Sequence, residues 1–379
     1  MAIKNITVLG SGIMGHGIAQ VSAMSGYNVV LRDIEQQFLD KAMEKIKWSL
    51  DKLVSKEKIS QSQSDDIYSR IRPIVDLKEA VKDCDLVIEA VPEIMDLKKK
   101  VYAELDKVAG KNVVFASNTS TLPITEIANT TSRPERFIGI HFFNPPQLMK
   151  LVEIIPGQKT AKDVVKLTND YVKSVQKEPV VCRKDVPGFI VNRLFIPLVH
   201  EACYVMDRQK IQLTEIDSAV KFNLGFPMGI FELADFTGMD VIHKATIEMH
   251  LRDKKVIRPH PKIEQLYNEK KLGQKTGEGF YKYSDEKYER ISLSEELAKK
   301  CNPIQILANI LNNAAWLVTK EASDIQEIEN AARLGLGLKK PLFETAKEYG
   351  MSNIVKELEQ LAQKHGQFYE PDPLLVSMQ

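Results

Sequence analysis

An α/β domain followed by an all-α region is the fold class that this sequence of 379 residues predicts. Short apolar runs alternate with helix-like stretches in the N-terminal part, whereas the hydrophobic spacing is helical throughout from Ile190 onward. In the stretch Arg136 to Ile155, RFIGIHFFNPPQLMKLVEII, a histidine and a glutamate lie inside two strand-like runs. Alternating strands and helices favour a parallel sheet with helices on its faces, followed here by a helical region.

Composition places the chain among ordinary globular proteins, with 44% hydrophobic and 27% charged residues. The formal charge of +1 gives no overall electrostatic argument for nucleic acid or an acidic membrane as a partner. No apolar run reaches the ~18 residues that span a bilayer, and no cleavable signal is evident, so we expect a protein without membrane contact, in the cytoplasm or in a compartment reached without a cleaved signal. The cysteines lack the spacing of metal ligands or of a disulfide framework, which predicts reduced thiols and no metal site, at Cys84, Cys182, Cys203 and Cys301.

The predicted strand Ile3 to Leu9 runs directly into a glycine-rich turn and a helix. The spacing Gly10-x-Gly12-x-x-Gly15 is that of the dinucleotide fingerprint, whose glycines permit a tight turn and a close approach to a pyrophosphate. A second strand ends at Asp33, 18 residues after Gly15, where a carboxylate binds a ribose hydroxyl and repels a 2′-phosphate. Together these features predict a Rossmann-like unit that binds NAD rather than NADP.

Residues 34–73 are polar and have helical spacing, which predicts an inserted pair of helices turning near residues 60–64. Several lysines are expected on its surface, Lys52 and Lys56 among them. They form either a merely solvated face or a surface for a phosphate-bearing tail.

Two further strands are predicted at Asp85 to Val91 and Asn112 to Ser117. Glu93 follows the first, and Thr119 and Ser120 follow the second. Ligands of open α/β sheets collect at the carboxyl ends of strands. Ser120 and Thr119 are therefore candidate ligand contacts, although either can also be the N-cap of the next helix.

The stretch from Arg136 to Ile155 predicts two strands joined by a loop that carries Asn144, Pro145 and Pro146. In an antiparallel hairpin centred on Gln147, His141 faces Glu153. Cross-strand neighbours have Cβ atoms about 5 Å apart, so long side chains can reach each other and form a hydrogen bond. The pair would form a histidine base with an orienting acid. The alternative is a core histidine and an edge-strand glutamate that never meet.

The helical region contains an internal repeat. Thr214 to Met239 aligns with Gln326 to Met351 at a constant offset of 112 residues. Gene duplication is the simplest account. Asn192 and Arg193 have no clear counterpart in the second copy, so we expect the first copy to hold any site.

The chain resembles the L-3-hydroxyacyl-CoA dehydrogenase (3-hydroxybutyryl-CoA dehydrogenase) family along nearly its whole length. The resemblance is carried, in family order, by GSGIMGHGIA, AVPE, ASNTS, HFFNPPQLMKLVEII, DVPGFIVNR, GFPMGIFELAD and GQKTGEGFYKY. One departure is Pro146-Gln147, where the family usually has a small apolar residue followed by proline. We expect an NAD-binding domain over residues 1–184, a first helical copy over 185–290 and a second, degenerate copy over 295–379.

The resemblance implies NAD-dependent oxidation of an L-3-hydroxyacyl-CoA, or the reverse reduction. It implies that His141 and Glu153 are the catalytic dyad, with Ser120, Asn144 and Asn192 completing the site. The implied NAD-binding residues are Gly10, Gly12, Ile13, Met14, Gly15, Asp33, Glu93 and Lys98.

Coenzyme A would lie across the inserted helices, with Lys52 and Lys56 as candidate contacts. The second helical copy would take the place of a partner subunit in a monomer, or the chain would form a homodimer. Two alternatives stay open, namely a dehydrogenase of a free 3-hydroxy (sugar) acid and an NAD-binding regulatory or structural protein.

Overall fold

The computed structural model describes residues 3–283 and 292–379. The chain divides into two compact units, residues 1–185 and 186–379. The predicted end of the first helical copy at residue 290 lies outside the described residues.

The first unit is built on an eight-stranded sheet of order β3-β2-β1-β4-β5-β6-β7-β8. Its strands are β1 Asn5–Leu9, β2 Asn28–Arg32, β3 Ile71–Ile74, β4 Leu86–Glu89, β5 Val114–Ser117, β6 Phe137–Phe142, β7 Leu151–Pro156 and β8 Glu178–Val181. Its helices are α1 Ile13–Met24, α2 Gln36–Ser55, α3 Gln61–Ser69, α4 Leu77–Ala80, α5 Met95–Val108, α6 Ile124–Ala128 and α7 Lys162–Ser174.

Strands β1 to β6 are parallel, and β7 is antiparallel to β6. The strand order reverses between β1 and β4, which is the topological switch point where doubly wound sheets bind nucleotides. Alternate residues of the central strands pack against α1, α2 and α7 in one buried cluster, which includes Val8, Leu31 and Ile46. The predicted Rossmann-like fold is confirmed.

The prediction that residues 34–73 are wholly helical is wrong at its C-terminal end. Helices α2 and α3 form, but the turn between them covers residues 56–60 and ends at the N-cap Ser60, earlier than predicted, and residues 71–74 form strand β3. β3 pairs only with β2 and is the edge of the sheet. An edge strand tolerates Pro73 because one side of its backbone needs no partner, and the proline concealed the strand in the sequence.

The predicted register of the β6–β7 hairpin is confirmed, because His141 pairs with Glu153 and Phe142 with Val152. The strand pairing ends there, so the expected pair of Phe143 and Leu151 is not part of the ladder.

The second unit is helical. Its helices are α8 Val191–Gln209, α9 Leu213–Phe222, α10 Ile230–Thr237, α11 Met239–Arg252, α12 Pro261–Asn268, α13 Glu295–Ala298, α14 Ile304–Thr319, α15 Ile325–Gly335, α16 Leu342–Tyr349, α17 Met351–His365 and α18 Pro373–Ser377. Helices α15, α16 and α17 begin 112 residues after α9, α10 and α11, the offset of the sequence repeat. Among the described residues, no helix is long and apolar enough to cross a membrane.

Candidate active site

The centre of the candidate site is a buried histidine–glutamate pair at the hairpin of β6 and β7. Nδ1 of His141 lies 2.7 Å from Oε2 of Glu153. His141 is 6% exposed and Glu153 is fully buried. The pair therefore meets inside the protein, and the alternative that the two side chains never meet is excluded.

The backbone beside His141 is fixed by the end of the neighbouring strand. The side-chain oxygen of Asn118, the first residue after β5, accepts a hydrogen bond from the backbone N–H of Phe142 at 2.8 Å. The ring of His141 packs on Phe143, with ring centroids 4.4 Å apart. These contacts hold the imidazole in one orientation.

Ser120 lies in the turn after β5 and is anchored to Glu93. Oε1 of Glu93 accepts hydrogen bonds from the backbone N–H of Ser120 at 2.8 Å and from the hydroxyl of Thr119 at 2.5 Å. Neither residue is an N-cap of α6, whose N-cap is Pro123. The hydroxyl of Thr119 instead accepts from the backbone N–H of Leu122 at 2.9 Å and holds the turn.

Lys98 lies beneath this turn between two carboxylates. Its Nζ is 2.6 Å from Oε1 of Glu89 and 3.2 Å from Oε2 of Glu93. Burial opposes charge on both Lys98 and Glu93, but their mutual attraction and hydrogen bonds outweigh it. The pKa of Lys98 is therefore raised and that of Glu93 lowered, and both groups are ionised near neutral pH.

Glu89 is a residue of this cluster that the sequence reasoning missed. It is fully buried, accepts from Lys98 and from the hydroxyl of Ser117 at 2.7 Å, and so links the ends of β4 and β5. A carboxylate within the apolar run DLVIEAV was the signal, because a charge in a buried strand requires a partner.

The glycine-rich turn has the geometry that a dinucleotide requires. Gly10 has φ +92°, and a Cβ there would lie 2.7 Å from the backbone oxygen of Ala90. A Cβ at Gly15 would clash with the carbonyl of Gly10, whereas no atom lies within 4 Å of a Cβ built on Gly12. Gly12 thus leaves open space at the N-terminus of α1, where a pyrophosphate binds.

Asp33 follows β2 and faces this turn. Its Oδ2 accepts from the backbone N–H of Ser11 at 2.6 Å and from the Ser11 hydroxyl at 2.7 Å. Ile13 and Met14 are the first two residues of α1, and Ile13 is 61% exposed despite its apolar side chain. Backbone, carboxylate and apolar surface together fit a dinucleotide.

Asn144 is exposed in the loop between β6 and β7. In the same loop, Nε2 of Gln147 donates to Gln20 of α1 at 3.2 Å. A Cβ added to Gly17 of α1 would lie 2.9 Å from both Gln147 and Pro146. The unusual Pro146-Gln147 pair is therefore packed tightly against the helix that follows the glycine-rich turn.

The remaining predicted residues lie apart from this cluster in the sequence. Asn192 is the second residue of α8 in the second unit. Lys52 and Lys56 are exposed, the first on α2 and the second just after it. Nζ of Lys52 lies 3.6 Å from the ring centroid of Trp48, an exposed aromatic residue. The described residues contain no group of three His, Cys, Asp or Glu side chains able to hold a metal ion.

Comparisons with known proteins identify the family of the chain. The family model described as 3-hydroxyacyl-CoA dehydrogenase, NAD binding domain, matches residues 5–186. The model for the C-terminal domain of 3-hydroxyacyl-CoA dehydrogenase matches two stretches, residues 188–283 and 305–379.

Among curated relatives, the mitochondrial hydroxyacyl-coenzyme A dehydrogenase of Rattus norvegicus is 42% identical over 74% of this chain and 91% of its own length. The 3-hydroxybutyryl-CoA dehydrogenase of Bradyrhizobium diazoefficiens is 40% identical over 74% of this chain and 96% of its own length. The crystal structure of 3-hydroxybutyryl-CoA dehydrogenase from Escherichia coli matches all of this chain and 98% of its own, with a TM-score of 0.89 at 28% identity. The chain therefore belongs to the 3-hydroxyacyl-CoA dehydrogenase family and is an NAD-dependent oxidoreductase.

Proposed function

We propose that the protein oxidises L-3-hydroxyacyl-CoA, with 3-hydroxybutyryl-CoA as the expected substrate, to the 3-ketoacyl-CoA, or catalyses the reverse reduction. The observation that carries this proposal is the 2.7 Å contact between Nδ1 of His141 and Oε2 of Glu153. A buried imidazole oriented by a carboxylate is the arrangement that a general base requires.

The contact determines which ring nitrogen acts as the base. An ionised carboxylate only accepts hydrogen bonds, so the imidazole proton lies on Nδ1 and points to Glu153. Nε2 then carries the lone pair that removes the proton from the 3-hydroxyl of the substrate. Glu153 stabilises the imidazolium that forms, and in the reduction the same imidazolium returns its proton to the ketone oxygen.

The residues around the glycine-rich turn would hold NAD. When bound, NAD supplies an acceptor for the hydride that leaves C3 of the substrate. The backbone of Gly10, Gly12 and Gly15 gives the pyrophosphate access to the N-terminus of α1, and Asp33 would accept hydrogen bonds from the ribose hydroxyls. Glu93 and Lys98 form an ionised pair at the carboxyl ends of the strands, on the same side as the turn.

Ser120, Asn144 and Asn192 are proposed to bind the substrate, as the family resemblance implies. Glu93 accepts from both the backbone N–H of Ser120 and, at 3.3 Å, its hydroxyl, so the Ser120 side chain is held in a rigid turn. Donors held in this way contribute to rate by positioning the reacting oxygen at the base.

Coenzyme A is proposed to lie along α2. Lys52 and Lys56 would attract its phosphates, and the exposed ring of Trp48 offers an apolar face to the adenine. Lys52 over Trp48 pairs a cation with an aromatic ring, and both remain accessible from solvent.

The first experiment tests the base. His141→Ala should reduce turnover by about 100- to 10,000-fold while NADH affinity, measured by fluorescence titration, stays nearly unchanged. His243→Ala, which removes a histidine on α11, is the matched control and should behave as wild type. A His141 variant with near wild-type turnover would exclude this residue as the base.

Glu153→Gln should also slow turnover and displace the pH profile of turnover, since the imidazolium loses its partner.

The second experiment tests the substrate. NADH oxidation with acetoacetyl-CoA is compared with that for free acetoacetate, and then with 3-ketoacyl-CoAs of increasing chain length. We expect turnover of the thioesters and little with the free acid. Equal activity on the free acid would favour a dehydrogenase of free 3-hydroxy acids. No oxidation with any of these substrates would favour an NAD-binding regulatory or structural protein.

The second helical copy is proposed to replace a partner subunit. The guanidinium of Arg193 on α8 stacks 3.5 Å from the ring centroid of Trp316 on α14, and its Nε donates to Asn313 of the same helix at 3.0 Å. The match of one domain model to two stretches also supports duplication. Sedimentation should give the mass of a single chain, and a stable dimer would contradict the proposal that the second copy replaces a partner subunit.

We propose a cytoplasmic location. Cys84, Cys182, Cys203 and Cys301 are all free thiols, as expected in a reducing compartment. Mammalian relatives are named mitochondrial, so cell fractionation distinguishes the two locations.

A further inference from the structure

A cavity of about 350 Å³ lies inside the second unit and is not used by the chemistry of His141 and Glu153. It is bounded by α8 of the first helical copy, by α14 of the second copy, by residues 253–258 and by residues 367–373. Its volume is within the range of small-molecule sites.

The cavity is lined by four basic side chains, Arg193, Lys255, Arg258 and Lys320. Arg193 is 3% exposed, and its Nη1 lies 3.6 Å from Asp253, too far for a hydrogen bond. Burial lowers the pKa of Arg193 to about 10, and Asp253 offsets this only in part. The charge of Arg193 is therefore incompletely compensated.

The guanidinium of Arg258 is also incompletely paired. Its guanidinium stacks on Tyr204, 4.3 Å from the ring centroid, and its Nη1 is buried without a hydrogen-bond partner among the described residues. In that part of the chain, Arg258, Lys255 and Lys320 form no ion pair within 4.0 Å. The charge of Arg258 acts on Glu201 only at longer range, and Glu201 is already paired with Arg208.

The carboxylates of the cavity wall have other partners. Glu201 pairs with Arg208 and accepts from the hydroxyl of Tyr369 at 2.8 Å. Asp372 accepts from the hydroxyl of Thr319 and from the backbone of α18. Asp253 accepts from the backbone N–H of Lys255 at 2.9 Å. The side chain of Glu370 is exposed.

One acceptor complements these donors. Oδ1 of Asn309 is buried in the same wall and has no hydrogen-bond partner among the described residues. Native proteins satisfy nearly all buried polar groups, so two guanidinium nitrogens and one amide oxygen left unpaired around one cavity indicate a polar occupant. The nitrogens require an oxyanion, and the amide oxygen requires a hydroxyl or an N–H.

We propose that this cavity binds a small oxyanion that carries a hydroxyl group, either a hydroxycarboxylate or a phosphate ester. Planar guanidinium groups suit both oxyanions, because each offers paired oxygens to parallel N–H donors. Since the ligand would contact α8 and α14 together, its binding stabilises the packing of the two helical copies.

Calorimetric titration of the full-length protein tests the site with three probes. 3-Hydroxybutyrate represents the hydroxycarboxylates, glycerol 3-phosphate represents the phosphate esters, and glycerol is the uncharged control. We expect saturable binding of at least one anion, a raised melting temperature in its presence, and no response to glycerol. The anion that binds identifies the class, whereas no saturable binding of either at millimolar concentration would mean that the cavity holds only water.

Substitutions in and beside the cavity test where the anion binds. Arg258→Gln should weaken the affinity for the anion at least about tenfold, because a charge that faces the ligand is lost. Lys255→Gln alters an exposed residue that cannot threaten folding and should also weaken binding. Lys254→Gln, a change in the same loop outside the cavity, is the matched control and should bind as wild type. Equal affinity of all three variants would overturn the assignment.

Discussion

The two helical copies of the second unit share a frame but differ in their polar interior. In the first copy, the carboxylate of Asp217 accepts from the backbone N–H groups of Phe231 and Glu232. In the second, Glu329 at the equivalent position accepts from those of Leu342 and Phe343. The longer glutamate reaches one residue nearer the N-terminus of its helix. Both copies thus keep a carboxylate that caps the same helix.

The copies differ at the position of Asp235. Its carboxylate is 1% exposed and accepts from the backbone N–H groups of Phe280 and Tyr281 and from the hydroxyl of Tyr283. It therefore ties residues 280–283 to helix α10. The second copy has the exposed Lys347 at this position. At this position, therefore, the first copy has a carboxylate that holds additional structure and the second copy has an exposed lysine.

The largest expected effect is on the free energy of unfolding, and it should differ between Asp235 and Lys347. Asp235→Ala leaves three donors without their acceptor, and each loss typically costs about 1–3 kcal/mol. We expect the free energy of unfolding to fall by about 3–5 kcal/mol, whereas Lys347→Ala should change it by less than about 0.5 kcal/mol. Urea unfolding followed by circular dichroism measures both. Similar losses for the two variants would contradict the difference between the copies.

The next largest expected effect is on kcat. Asn192 has the apolar Ile304 as its counterpart at the offset of 112. If Asn192 binds the substrate oxygen, Asn192→Ala should lower kcat about 100-fold, the usual cost of removing a donor that stabilises a transition state. Ile304→Ala should leave kcat unchanged. Steady-state NADH oxidation with acetoacetyl-CoA measures both, and an unchanged kcat in the Asn192 variant would remove the functional asymmetry of the copies.

The hairpin of the candidate site could be predicted from sequence because its determinants are local. Side chains alternate along a strand with a period of two, so a loop centred on Gln147 was sufficient to place His141 opposite Glu153. The glycine-rich turn and Asp33 could also be predicted, because the fingerprint is defined by the spacing of its residues along the chain.

Other features depend on partners distant in sequence. Strand β3 could not be predicted, because pairing with β2 overrides the proline that normally interrupts a strand. The cluster of Glu89, Lys98 and Glu93 is local, but its contacts with the end of β5 are not, since Ser117 donates to Glu89 and Thr119 donates to Glu93. The cavity between α8 and α14 arises only when the two copies pack together.

The stability contributed by the two capping carboxylates, Asp217 and Glu329, is expected to depend on pH to different degrees. Burial raises the pKa of Asp217 from 3.8 to about 7, and hydrogen bonds from Phe231 and Tyr281 offset this only in part. The folded state therefore holds this proton more tightly than the unfolded state. The resulting stability is complete below about pH 4 and is lost as the pH rises to 7, by about 2 kcal/mol between pH 5 and pH 7.

Asp217→Asn cannot ionise, so the difference in stability between wild type and this variant isolates the contribution across the pH range. That difference should move in favour of the variant between pH 5 and pH 7. Burial also raises the pKa of Glu329, which is only half-buried, and Glu329→Gln should show the same trend at smaller amplitude. A pH-independent difference for Asp217→Asn would mean that its carboxyl group is ionised throughout.

The smallest effect concerns the paired loops of the two copies. Gly225 has φ +77° and Gly337 has φ +72°, so alanine is strained at either position, at a cost of about 1 kcal/mol. A Cβ on Gly225 would make an ordinary contact with Lys340, at 3.5 Å, whereas one on Gly337 would lie only 2.9 Å from the ring of Pro227. Each glycine thus contacts the loop of the other copy, but only Gly337 is confined by it. Gly337→Ala should therefore lower the urea midpoint more than Gly225→Ala, and equal midpoints would mean that the loops separate without cost.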